Sequence, residues 1–193
     1  MNKNTLLLGC GALVLAAVAA IVVVGGWAVS VNNNLVASQE QMKASWAQVE
    51  TVLQRRYDLI PNLVATVKGY AEHEKELFEN VARLRSQWSA AQTLPEKTQA
   101  ANQMEGALAR LLVVAEAYPE LKANQNFRDL QFELSGTENR IAVERQRYNE
   151  AVQHFNTMVR KLPTSLIAGM LGFQPSETFN ATPAAHEAPK VQF

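Results

Sequence analysis

From Leu6 to Val31 the chain carries no charged side chain, and beyond Asn32-Asn33-Asn34 its apolar residues fall at intervals of three and four, without strand-like alternation. At 1.5 Å per residue the first run makes about 39 Å of helix, enough to cross a bilayer with some tilt. The second pattern gathers apolar residues on one face of successive helices. Met42, Trp46, Val49, Leu53 and Tyr57 form the first such face, with Gln39, Lys43, Gln48, Glu50 and Arg55 left mostly for the other side. A break is then predicted between Asp58 and Pro61, because proline lacks the backbone donor and Asp58 is a good starting cap. One kinked helix is the alternative, since Ile60, Val64, Val67 and Ala71 continue almost in phase.

The next helix carries Val64, Val67, Ala71, Leu77, Val81, Leu84 and Trp88 on its stripe, and Gly69 inside it costs about 1 kcal/mol relative to alanine. Thr93-Leu94-Pro95-Glu96 matches a capping box, so a third helix starts there, with Ala101, Met104, Leu108, Leu111, Ala115 and Tyr118 as its stripe and Pro119 at its end. Asn124 or Asn126 caps the longest helix, whose face runs Phe127, Leu130, Leu134, Thr137, Ile141, Tyr148, Val152, Phe155, Val159 and Leu162 up to Pro163. The fold expected is all-α: an N-terminal transmembrane helix followed by an antiparallel up-and-down four-helix bundle with long helices. A three-helix hairpin is the alternative if Pro61 only kinks. Ser165 is read as the cap of a short apolar turn, Leu166 to Leu171, closed by Gly172. The domains expected are an anchor over 1–34, the bundle over 35–173 and a disordered tail over 174–193, whose Pro, Ala and polar content is too poor for a core.

The apolar N-terminus is too long for a cleaved secretory signal, whose apolar stretch is usually about 7 to 15 residues. Leu7-Leu8-Gly9-Cys10 loosely resembles a lipidation site, but the apolar run continues far beyond Cys10, and a thiol within a membrane helix is the simpler reading. Ala12, Ala16 and Ala20 recur every fourth residue, a stripe along which two spanning helices can approach closely. Lys3 precedes the span and the next basic residue is Lys43, which favours a cytoplasmic N-terminus and a bundle outside the cytoplasm, in a bacterial inner membrane crossed once. Trp27 sits where an interfacial aromatic belongs.

Charge and chemistry then narrow the function. Lys plus Arg and Asp plus Glu number 18 each, so no basic excess points to nucleic acid. A single cysteine and three scattered histidines, His73, His154 and His186, offer neither a disulfide framework nor metal-ligand spacing. No nucleophile elbow, HExxH or phosphate-cradling glycine loop occurs, so neither an enzyme nor a cofactor is expected. The informative polar residues lie near helix stripes. Between Ile141 and Tyr148 the stripe lands on Glu144 or Arg145, and an antiparallel bundle brings Arg56 to the level of Arg140 to Glu144. An interhelical polar layer of Arg56, Glu138, Arg140 and Glu144 is the expectation, with Arg56 paired to Glu144 or Glu138; a few solvated charges on flanking positions is the plainer reading. Arg55, Tyr57, Asp58, Pro61 and Asn62 are set out as a possible partner-docking corner.

The block Gln54-Arg55-Arg56-Tyr57-Asp58-Leu59-Ile60-Pro61-Asn62-Leu63, followed by Val67-Lys68-Gly69-Tyr70-Ala71 and His73-Glu74, resembles the signature of the LemA family. Tyr118-Pro119-Glu120-Leu121-Lys122-Ala123, Thr137 to Ala142 and Arg147-Tyr148-Asn149 are similar to its further motifs, in order. The chain departs from that pattern at Leu162 and Ser165, where relatives tend to have Phe and Asn. The resemblance implies a single-span membrane protein with a helical bundle, placed in membrane remodelling or beside membrane proteases, with the short N-terminus outside. The expected function is a membrane-anchored scaffold that acts through protein contacts as a homo-oligomer, with the lipid bilayer, through Leu6 to Val31, and a membrane protein as the partners set out. An accessory subunit of a membrane protease or other membrane enzyme, and a membrane-remodelling protein, are the alternatives.

Overall fold

The structure, a computed structural model, describes residues 3–71 and 73–179, without the side chains of residues 3–12 and 14. The readings on Cys10 and Ala12 therefore lie outside the described residues. The described residues form six helices: α1 (Lys3–Lys68), α2 (Lys75–Ala90), α3 (Leu94–Glu116), α4 (Pro119–Ala123), α5 (Gln125–Arg160) and α6 (Thr164–Met170). No strand occurs among the described residues.

The expected break at Asp58 to Pro61 is corrected: α1 continues through Pro61 and ends at Lys68. Pro61 removes the amide that would bond the Tyr57 carbonyl. It is tolerated because its ring faces outward while Leu53, Tyr57, Ile60, Leu63 and Val67 stay buried in one unbroken phase around it. The break falls instead after Gly69, where Tyr70 and Ala71 donate back to the Val67 carbonyl. Leu63, rather than Val64, takes the buried position on the stripe, and Phe78 joins Val81, Leu84 and Trp88 on α2.

Thr93 and Glu96 form the expected capping box at the start of α3. The Glu96 amide donates to the Thr93 hydroxyl at 3.4 Å, and the Glu96 carboxylate accepts from the Thr93 and Gln92 amides at 3.1 Å each. These amides hold the Glu96 carboxyl below its ordinary value. A carboxyl depressed in the folded state contributes stability that is lost as pH falls through its folded value. Thr93→Ala is expected to cost about 1 kcal/mol in chemical denaturation at neutral pH. The cost should shrink on acidification, once Glu96 is protonated and its half of the box is already lost.

Asn124 caps α5, its Oδ1 accepting from the Phe127 amide at 3.2 Å, and the short α4 fills the connection. The end of α5 differs from expectation. It stops at Arg160, Leu162 is exposed, and α6 begins at Thr164 with Pro163, not Ser165, at its cap.

The described residues fall into two compact units, one comprising those up to Ala44 together with Glu150–Glu177, the other those within Ser45–Asn149 together with Thr178 and Phe179. In the first, α5 runs back along α1, with Val31, Leu35 and Met42 buried on one side and Val152, Phe155 and Val159 on the other. Ser38 and His154 meet at 3.1 Å between them. The segment after α6 stays attached: Phe173 meets Phe155 edge-on at 6.4 Å, and Asn156 exchanges two hydrogen bonds with the Ser176 backbone. Ordered contacts thus continue past residue 173. Gly172, at φ +78°, supplies the left-handed turn that reverses the chain after α6.

In the second unit the helices alternate in direction. Trp46 meets Tyr148, and Arg55 and Arg56 meet Glu133 and Glu138, so α1 and α5 are antiparallel. Tyr57 stacks on Trp88 of α2, and Lys97 at the start of α3 pairs with Glu50. This is the up-and-down bundle the stripes predict. Phe179 is buried against Trp46 at 5.9 Å, and Asn149 clasps its backbone amide and carbonyl at 2.7 and 3.0 Å.

Candidate functional site

The second unit encloses a polar cluster. The three-four rhythm of α5 goes from Ile141 to Arg145 to Tyr148, and the Arg145 and Glu144 side chains are both largely buried, at 18% and 17% exposed. Arg145 reaches Glu105 of α3 at 3.4 Å and lies over the Phe179 ring at 4.3 Å. On α1, Arg56 is 9% exposed and reaches Glu138 of α5 at 3.9 Å, while the neighbouring Tyr57 is 2% exposed.

Arg56 Nε, Arg145 Nε and Tyr57 Oη in this cluster have no hydrogen-bond partner among the described residues. Burial pushes the Tyr57 phenol well above its ordinary value, with the Arg56 and then the Arg145 cation pulling it partly back. Burial also lowers Arg145, against which Glu105 acts most strongly. An acid whose folded value is raised contributes stability that disappears as pH climbs past its unfolded value, here 10.0. Tyr57→Phe keeps the stacked ring, removes the orphaned hydroxyl and abolishes that alkaline loss. It is expected to gain about 1 kcal/mol at neutral pH and to flatten the stability curve above the phenol range, read by denaturant titration. A loss at neutral pH would show that the hydroxyl has a partner in solution.

The other residues singled out in the sequence fall as follows. Glu144 does not meet Arg56; its carboxylate accepts from Arg147 at 2.7 Å, one turn along the same helix. Arg140 is exposed. Arg55, Asp58, Pro61 and Asn62 are exposed along α1, so they share a helix face rather than a corner. Asp58 accepts from Gln54 at 2.9 Å, and the Asn62 carbonyl accepts from Thr66 at 2.8 Å. Beside Pro61 an open groove lies between α1 and α2, lined by Ile60, Val64, Phe78, Val81 and Arg85. Ala16 and Ala20 are exposed on α1 among Leu15, Val18, Ile21 and Val22. That part of α1 is long and apolar enough to cross a membrane.

Sequence reasoning missed Glu105 and Phe179. Glu105 follows the buried Met104 and nothing local marks it; Phe179 was hidden by the Pro and Ala around it. Arg145 was signalled by the rhythm, which left it level with Glu144. Chemically the cluster can hold helices in register. No group of three His, Cys, Asp or Glu able to hold a metal ion occurs among the described residues.

The family model described as LemA family matches residues 45–193. The chain is 26% identical over 178 residues to magnetosome protein MamQ 2 of Paramagnetospirillum magneticum, covering 79% of this chain and 65% of that protein. It is 25% identical to magnetosome protein MamQ of Magnetospirillum gryphiswaldense with the same coverage. To protein LemA of Metamycoplasma hominis it is 23% identical over 153 residues, covering 78% of this chain and 69% of that one. The chain thus spans just under two thirds of the length of the magnetosome relatives it matches. With most of its length matched by the family model and the family's motifs set on the helices described above, the chain belongs to the LemA family.

Proposed function

We propose that this protein is a non-catalytic, membrane-anchored scaffold that works through contacts between helical bundles. The observation that carries this reading is the division of labour along α1. Its N-terminal part leaves Leu13, Leu15, Val18, Ile21, Val22 and Val23 more than half exposed, while its later part buries Leu35, Val49, Leu53, Leu63 and Val67 in bundle interiors. An isolated helix gains nothing by showing that much apolar surface to water, and a bilayer accounts for it. The two largely buried cations, Arg56 and Arg145, face carboxylates at the edge of neighbouring helices, Glu138 and Glu105, which suits holding helices together.

In this reading the N-terminus lies in the cytoplasm and the bundle beyond the inner membrane, the orientation that Lys3 before the span favours. The exposed Ala16 and Ala20 offer a close-approach stripe for a second copy. Several relatives carry the name of a cell structure, the magnetosome, rather than of a reaction, which is in keeping with a role in assembly. Crosslinking in intact membranes followed by mass spectrometry tests the proposal. Crosslinks joining identical peptides of two copies are expected. Exclusive crosslinking to a membrane enzyme, with loss of that enzyme's activity on deletion, would replace the scaffold reading with an accessory-subunit one.

A further inference from the structure

The short helix α6 turns apolar side chains outward at one end of its unit. Leu166 is 64% exposed and Met170 84%, four residues apart on one face, and they are flanked by Leu162 at 69% and Leu171 at 52%. Ala168 is completely buried and the Phe173 amide donates to its carbonyl at 2.9 Å, so the helix is docked, with this face left over. Just before it stand the exposed Arg160 and Lys161, and no Asp or Glu occurs between Arg160 and Ser176. A water-facing turn has no use for four open leucine and methionine side chains, each forgoing about 1.5–3 kcal/mol of burial.

The register of α5 on α1 says what meets them. Ser38 and His154 are in contact at 3.1 Å. From Ser38 back to Val31 is about 10 Å of helix, and from His154 on to Arg160 about 9 Å. Because α5 runs back along α1, it ends level with Val31 and Asn32, where the apolar run gives way to Asn32-Asn33-Asn34. Burial along α1 begins at the same level: Ala28 is half-buried and Val31 8% exposed, whereas Ile21 to Val24 lie open. α6 begins four residues beyond Arg160 and therefore starts near that level.

On the anchored reading above, we infer that α6 is a second membrane contact, a foot that rests in the lipid interface beside the span. Leu162, Leu166, Met170 and Leu171 enter the boundary between headgroups and acyl chains, about 5–10 Å deep as for other interfacial helices. Arg160 and Lys161 meet lipid phosphates. The foot fixes the tilt of the first unit on the bilayer, which one spanning helix alone leaves free to rotate.

The full chain tests this in vesicles of phosphatidylethanolamine and phosphatidylglycerol. A polarity-sensitive fluorophore is placed, in a Cys10→Ser background, at Met170→Cys, Val22→Cys or Glu79→Cys, and lipids carry a quencher at a shallow or a deep acyl position. The Met170 label is expected to shift its emission to the blue and to be quenched most by the shallow lipid. The Val22 label should be quenched most by the deep one, and the Glu79 label by neither. A Met170 label that behaves like the Glu79 label overturns the foot while leaving the anchor in place. So does one shielded from water without lipid quenching, which would mark a protein contact. A Val22 label untouched by either lipid overturns the anchored reading and the foot together.

Discussion

Phe155→Ala is expected to lower the stability of the full chain by about 3–5 kcal/mol, read as a fall in the denaturant midpoint in detergent micelles. Phe155 is 1% exposed in the first unit and meets Phe173 edge-on. Its removal leaves a hole among Val152, Val159 and the chain that follows α6, and close-packed neighbours on two long helices have little freedom to fill it. The loss is comparable with the whole stability of many domains. Phe132 lies on the same helix with the same side chain, but it is 82% exposed. Phe132→Ala should stay within about 0.5 kcal/mol of the parent. Equal effects at the two positions would mean that the buried stripe of α5 is not the one described.

A comparable asymmetry is expected at the polar cluster of the second unit. Arg145→Met keeps the length of the side chain and removes a cation that burial already disfavours. It should be neutral or stabilising, since a buried pair replaced by apolar groups of similar volume often costs nothing. Glu105→Ala instead leaves the Arg145 guanidinium without its carboxylate. Its cost is set below the about 3–5 kcal/mol usual for a broken buried pair, at about 2 kcal/mol, because water reaches part of the site: Glu105 is 42% exposed and Arg145 18%. The Glu105→Ala, Arg145→Met double variant should recover most of the loss. Such a pattern identifies the pair as a device for register rather than for stability, and a double variant as unstable as Glu105→Ala alone would contradict it.

Much of this fold can be read from residue spacing. The Thr93 and Glu96 box, the Asn124 cap and the Phe127 to Val159 stripe are local signals, each satisfied by atoms a few residues away, and each lands where the spacing places it. The failures come where a tertiary contact outweighs a local preference. Pro61 breaks helices in isolation, but an in-phase buried stripe from Leu53 to Val67 keeps α1 whole around it. Leu162 continues the rhythm of α5 and is nonetheless exposed, since the helix has already ended at Arg160. Phe179 follows a polar, proline-containing stretch, and only the shape left by Trp46, Arg145 and Asn149 gives it a place. The polar cluster was half legible: the stripe named position 144 or 145, but choosing Arg145 requires knowing that Glu105 stands opposite.

In the anchored protein one continuous helix serves two media, lipid along its first half and packed bundle interior along its second. Extraction of native membranes with alkaline carbonate distinguishes this from a peripheral attachment. The full-length chain is predicted to remain in the membrane pellet, because about 39 Å of charge-free helix is not displaced by removing surface charge interactions. Quantitative release of the intact chain into the supernatant would mean that α1 does not span the bilayer.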